Sequence, residues 1–234
     1  LLAWQGGQES GNAVADLLSG KVCPSGKLPM TFPVRYEDAA SSRNFPVIEG
    51  EEAVDIYREF YTGARGENRP NIDYTLYEEG IFVGYRYFDT FDVPVSYPFG
   101  YGLSYTQFKY SRPECREIAG GYEFTCTVTN TGKQSGKEVV QLYIAAPGKS
   151  LPKPEKELKA FAKTRLLAPG ESQTVTLRVP VANLASFDEA RSQWMVESGK
   201  YQACWGSSSQ DIRLEQVFKP KSVIRISQCC MAMR

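Results

Sequence analysis

The sequence predicts a mainly β fold, in which a β-sandwich is preceded by an incomplete α/β segment and a long irregular connector. Three observations carry this. From about Ser104 onward apolar residues alternate in short runs closed by Gly, Pro or Asn. Near the start, one strand-then-helix pattern stands without the further strands that would complete a sheet. Between them, from Val34 to about Glu79, charge, Asn, Arg and Gly follow no clean period.

The elements follow in order. Leu1–Trp4 is a short apolar run suited to a buried strand. Gln5-Gly6-Gly7-Gln8-Glu9-Ser10-Gly11-Asn12 supplies a glycine turn, with Ser10 or Asn12 able to cap a helix. Ala13, Val14, Leu17 and Leu18 have helical spacing, and Gly20 then Pro24 end the element. Half a βαβ unit cannot close a sheet, so its missing strands are expected upstream. The opening Leu1-Leu2-Ala3-Trp4, without Met or a signal-peptide pattern, reads the same way. Lys27–Pro33 reads as extended. The aromatic run Gly80–Asp89 fits strand or helix equally and is assigned as buried connector.

In the sandwich, Tyr122, Phe124, Cys126 and Val128 share one face of a strand that ends at Asn130-Thr131-Gly132. Further strands are expected over Val139–Ile144, Leu158–Leu167, around Val175, Leu177 and Val179, over Tyr201–Trp205 and over Ile212–Phe218. Ala182–Asp188 is expected as a helical turn crossing between sheets. Strands of this length with turn signals at these intervals suit a sandwich of roughly 100 residues. The expected division is 1–33, end of an α/β domain; 34–103, connector; 104–220, sandwich; 221–234, tail.

Composition narrows the function. The 234 residues carry 27 Lys and Arg against 27 Asp and Glu, so no basic excess favours a nucleic-acid partner. No apolar run approaches the roughly 20 residues of a membrane span. There is no histidine, which rules out a Ser-His-Asp triad, a Cys-His pair or a His-based metal site within these residues. The six cysteines match no zinc or CxxC spacing and read as scattered thiols; Cys229 and Cys230 are adjacent, a poor geometry for an ordinary disulfide.

Among the polar residues, Glu9 sits on a Gly-rich loop where α/β proteins often place function. It has no carboxylate partner nearby in sequence, so a loop-fixing role weighs more. Asp16 reads as an exposed helical residue, and the neighbours Glu78 and Glu79 point in divergent directions. Arg86, among aromatics, can stack on a ring and fork onto a carboxylate; interdomain pinning weighs more than sugar contact. Tyr97, Phe99, Tyr101 and Tyr105 could form a sugar-stacking platform, but the interleaved Gly100 and Gly102 favour close packing at a domain junction. The junction candidates are therefore Glu9, Arg86, Phe99 and Tyr101.

Three segments together resemble glycoside hydrolase family 3, specifically its β-glucosidases with a fibronectin type III-like C-terminal domain. The first runs from Ala3-Trp4-Gln5-Gly6-Gly7-Gln8-Glu9-Ser10-Gly11-Asn12 to Asp16 and continues over Pro24–Pro33. The second is Tyr77–Asp89 with Pro98-Phe99-Gly100-Tyr101-Gly102-Leu103-Ser104-Tyr105-Thr106. The third joins Val139–Ile144, Pro154–Phe161 and Leu167–Ser172. The resemblance implies a fibronectin type III-like (immunoglobulin-like) sandwich and a retaining enzyme whose aspartate nucleophile and glutamate acid/base belong to domains upstream. Neither catalytic motif occurs here, so no catalytic, substrate-binding or metal residue is assigned, and this chain alone is expected to be inactive. No cofactor is implied, since two carboxyl groups and water suffice. The implied partners are the upstream catalytic domains and a carbohydrate substrate, a β-glucoside or short oligosaccharide, with β-xyloside as the alternative. The resemblance also favours a periplasmic or secreted location. A non-catalytic carbohydrate-binding or spacer sandwich is the competing reading; the orphaned strand–helix unit weighs against it.

Overall fold

The computed structural model describes residues 1–43, 77–220 and 224–226, the last as backbone alone. Two antiparallel sheets face each other. One has the strand order β11-β10-β5-β6 and the other β3-β4-β7. These strands are β3 (Phe108–Ile118), β4 (Gly121–Asn130), β5 (Val139–Ala145), β6 (Glu157–Lys163), β7 (Ser172–Pro180), β10 (Tyr201–Gly206) and β11 (Ile212–Phe218). This is the sandwich that the alternation predicts. Phe124 pairs in register with Leu177 and Cys126 with Val175, so the predicted inward residues of β4 and β7 share a face. That face meets Val140, Leu142, Ile144, Ala203 and Trp205 from the opposite sheet in one continuous core. Phe124, Leu142 and Trp205 are wholly buried. Side chains of this size contribute about 1.5–3 kcal/mol each when withdrawn from water.

Local chemistry explains the irregular points. Pro113 lies inside β3, where it would break a central ladder. It is tolerated because β3 is an edge strand with a register shift between Ser111 and Glu114. At the end of β4, Asn130 is fully buried and its amide is fully used. It donates to the carbonyls of Gln134 (2.7 Å) and Leu167 (2.8 Å), and its oxygen accepts from the Thr106 hydroxyl (2.7 Å) and the Gly132 amide (3.1 Å). A buried polar group fully satisfied in this way fixes the turn instead of weakening the core.

Outside the sandwich are α1 (Ser10–Leu18), β1 (Phe32–Pro33), α2 (Tyr85–Thr90) and β2 (Val95–Tyr97), with β1 and β2 paired antiparallel. A small third sheet has the order β12-β9-β8, from β8 (Ser186–Asp188), β9 (Gln193–Val196) and β12 (Ile224–Ile226).

Several expectations need correction. Leu1–Trp4 forms no strand, because nothing among the described residues offers it a ladder partner; Leu1, Leu2 and Trp4 are exposed. Neither Ser10 nor Asn12 caps α1. Glu9 holds the cap position, and the Asn12 amide reaches back to its carboxylate at 2.5 Å. Of Lys27–Pro33, only Phe32–Pro33 is strand. Gly80–Asp89 resolves as a glycine-led turn entering α2, with Phe88 buried. The third sandwich strand stops at Lys163, and Leu167 makes one isolated bridge with Gly136. The helical turn after β7 covers Val181–Leu184, but Ser186–Asp188 pairs with β9 as β8. Much of the connector, 44–76, and the tail cysteines Cys229 and Cys230 lie outside the described residues. Cys23, Cys115, Cys126 and Cys204 are free thiols.

Candidate functional site at the sandwich junction

Strand β5 organises the site. Val140, Leu142 and Ile144 point into the sandwich, yet Gln141 and Tyr143 on its other face are equally buried. A strand covered on both faces implies a second layer, and α2 with the segment to Tyr101 provides it. The Tyr85 ring stacks on Phe99, centroids 4.7 Å apart and planes 26° apart, and meets Tyr143 edge-on at 5.9 Å. The Tyr85 hydroxyl accepts the Leu158 amide hydrogen at 2.8 Å. Burial raises the Tyr85 pKa and holds that of Tyr143 far above the usual tyrosine range. The Tyr143 hydroxyl donates to Gln141 at 2.5 Å, and the Gln141 amide donates to the carbonyls of Gly100 (3.1 Å) and Ser207 (2.6 Å). The Phe99 carbonyl accepts from the Ser209 amide at 2.9 Å.

Gly100 is required here twice over. Its φ is +79°, and a Cβ at this position would stand 2.0 Å from the Gln141 side-chain oxygen. Two ion pairs flank the aromatic stack. Arg86 meets Glu157 at 3.5 Å, and the buried Lys156 meets Asp89 at 3.7 Å. Asp89 also accepts from the Gln210 amide at 3.0 Å.

The N-terminal segment is tied to the same layer. The Leu28 amide donates to the Tyr101 carbonyl at 2.8 Å, and the Gly100 amide to the Leu28 carbonyl at 2.9 Å. Beside them lies a charge cluster. Buried Glu138 takes Lys27 at 3.3 Å, Arg213 at 3.8 Å and its own neighbour's amide, that of Val139, at 2.8 Å. Asp211 takes Arg213 at 2.7 Å and the Ser207 hydroxyl at 2.5 Å. Arg213 lies 4.9 Å above the Tyr110 ring. Burial alone would raise the Asp211 pKa, but the hydrogen bonds from Arg213 and Ser207 outweigh it and hold the carboxyl below the ordinary aspartate value.

Other carboxyl groups among the described residues are shifted in the same direction. Glu123 and Asp188 are lowered by hydrogen bonds from arginine, Glu171 by the Ala168 amide and Arg165, and Asp211 as described.

Of the four junction candidates, three converge. Arg86, Phe99 and Tyr101 sit on the covering layer, Tyr101 packing against Tyr97 at 5.1 Å and 45°. Glu9 lies apart, at the exposed start of α1. The Tyr97, Phe99, Tyr101 and Tyr105 rings do not form a flat platform: Phe99 lies under Tyr85 and the Tyr105 hydroxyl is bonded to the Leu17 carbonyl at 2.8 Å. Sequence reasoning missed Tyr85, Gln141, Tyr143, Glu138 and Arg213. One signal was present: Val139-Val140-Gln141-Leu142-Tyr143-Ile144 does not alternate, and a non-alternating strand is one buried on both faces.

Comparison with known proteins agrees with this architecture. Residues 1–85 match the glycosyl hydrolase family 3 C-terminal domain, and residues 138–209 the fibronectin type III-like domain. β-Glucosidase A of Butyrivibrio fibrisolvens is 42% identical over 238 residues, covering 92% of this chain and 26% of that protein. Thermostable β-glucosidase B of Acetivibrio thermocellus is 40% identical, covering 97% of this chain and 27% of its own length. The solved structure of β-glucosidase 3B from Thermotoga neapolitana in complex with glucose superposes with a TM-score of 0.83 at 45% identity, over 96% of this chain and 28% of that one. The chain thus spans about a quarter of the length of the relatives it matches.

Proposed function

Since this chain belongs to glycoside hydrolase family 3 and corresponds to the C-terminal portion of its β-glucosidases, we propose that it buttresses the catalytic domains of a retaining hydrolase acting on β-glucosides or short β-linked oligosaccharides. In this reading the reacting carboxyl pair belongs to upstream domains. The sandwich, through Arg86, Phe99 and Tyr101, fixes the connector and the α/β end against them. Residues 1–33 close the α/β domain, 34–103 connect and 104–220 form the buttress, with Glu9 holding the loop before α1.

One observation carries the reading. No residue of helix α1 is fully buried, Val14 and Leu17 being half-buried, and Leu1, Trp4 and Leu18 are 74%, 59% and 69% exposed. An amphipathic helix gains little from propensity alone and is stabilised chiefly by what covers its apolar face. A neighbouring sheet is the natural cover.

The test compares the 234-residue chain with a longer protein carrying it behind a family 3 catalytic region. The chain alone is expected to release no product from an aryl β-glucoside above background. The longer protein is expected to cleave it faster than the matching aryl β-xyloside, and to lose thermal stability and activity when 104–220 is deleted. Turnover by the chain alone that disappears on replacing one of its own carboxylates overturns the proposal.

A further inference from the structure

Three neighbouring strands finish together at one end of the sandwich, and each brings a lysine there. Tyr201, the first residue of β10, pairs with Phe218 at the close of β11, and the next rung joins Gln202 to Ala145 at the end of β5. Lys200 and Lys219 therefore flank the last rung of one antiparallel ladder, and Lys149 comes from the loop after β5. With Pro147, Gly199 and Pro220 these lysines line an open groove of about 470 Å³. We propose that the groove binds a compact multivalent oxyanion of the phosphate or sulfate type.

Charge and shape select this ligand class. The chain as a whole is neutral, yet the groove is lined by three cations and no carboxylate. All three lysines are exposed, and none makes an ion pair among the described residues. The nearest acid in sequence, Glu197, is buried and turned inward, where it takes the Ser150 amide at 2.7 Å and Lys153 at 3.8 Å. It leaves the three ammonium groups uncompensated. Like charges facing each other across a ladder repel, so Lys200 and Lys219 carry a cost that a bound anion removes. Gly199 makes room for the third lysine: a Cβ there would stand 3.0 Å from the Pro147 ring and 3.5 Å from the Lys149 side chain. Pro147 and Pro220 stiffen the rim. One exposed charge pair contributes little, so a monoanion gains little here, whereas an anion with several charges meets all three lysines at once. The volume suits such a molecule, lying in the usual small-molecule range of roughly 300–1,000 Å³.

This site lies at the end of β5 away from Gln141 and stands independently of the buttressing role. The test is a titration of the ¹⁵N-labelled 234-residue chain with sodium pyrophosphate at low ionic strength, followed by amide chemical shifts and melting temperature. The expected result is saturable one-to-one binding in the millimolar range, with the shifts concentrated at 147–150, 198–201 and 218–220. The melting temperature is expected to rise, since a ligand that binds only the folded chain stabilises it. Lys219→Glu sets an opposite charge beside Lys200. It is expected to weaken binding about tenfold while raising the melting temperature of the free chain, a pair of effects that simple damage to the fold would not give. Lys219→Arg keeps the charge and is expected to retain binding. The proposal is overturned by the absence of saturable shifts, by shifts lying elsewhere, by sodium chloride of equal ionic strength producing the same shifts, or by unchanged binding in Lys219→Glu.

Discussion

The sandwich and the first twenty residues obey the same physical rules with opposite results. In β4, β5 and β10 every inward side chain meets another from the facing sheet, so the core is closed within the chain. Helix α1 has an apolar pattern of its own, yet none of its residues is fully buried: Val14 and Leu17 are half-buried and Leu18 is exposed. Pattern alone therefore does not make a packed element; the partner has to be present. Only where partners lie in the same chain does burial convert into stability, and the two regions should respond differently to the same kind of perturbation.

The sharpest break of that contrast is Trp205→Ala. Trp205 is fully buried against Phe124, and its truncation is expected to cost about 3–5 kcal/mol in urea unfolding. Alkaline titration comes next, because it also acts on the sandwich. Burial pushes the thiols of Cys115 and Cys204 up to about 11, and Cys126 and the Tyr201 phenol up to about 12. The folded chain keeps protons that the unfolded chain releases from pH 9 for thiols and pH 10 for phenols. Stability from these groups is therefore intact below pH 9 and lost progressively as pH rises to about 12, readable as a falling urea midpoint. Gly100→Ala strains a left-handed position and drives a methyl into Gln141. It is expected to cost about 1–3 kcal/mol and to expose 77–101 to limited proteolysis while the strands stay folded. Tyr85→Phe keeps the ring stack but removes the acceptor of the Leu158 amide; about 1 kcal/mol is expected. Leu18→Ala, on the exposed helix, should change stability by less than about 0.5 kcal/mol.

The same contrast explains what was legible in the sequence. Strands with one wet face announce themselves by alternation, and Tyr122, Phe124 and Cys126 with Val175, Leu177 and Val179 were readable for that reason. β8 and β9 were not, because three- and four-residue strands are shorter than any periodic window. Leu1–Trp4 looked like a strand, since its composition reports preference and not the presence of a ladder. Arg86, Phe99 and Tyr101, which lie together on the layer over β5, stood out in the sequence as an arginine and aromatics among glycines. Glu138 and Arg213 did not, since they are 75 residues apart and only the return of β11 at the sheet edge, paired with β10 and packed against β3, brings them within 3.8 Å. Glu9 was placed at the junction by its loop, but its neighbour in space is Asn12.

Native-state hydrogen exchange on the 234-residue chain tests the central claim most directly, because it reads both regions in one sample. The amides of β4, β5 and β10 are expected to exchange only through global unfolding, whereas those of Ser10–Leu18 exchange almost as freely as an unstructured peptide. Protection of α1 equal to that of β5 would show that the helix already has its partner within this polypeptide, and would contradict the account.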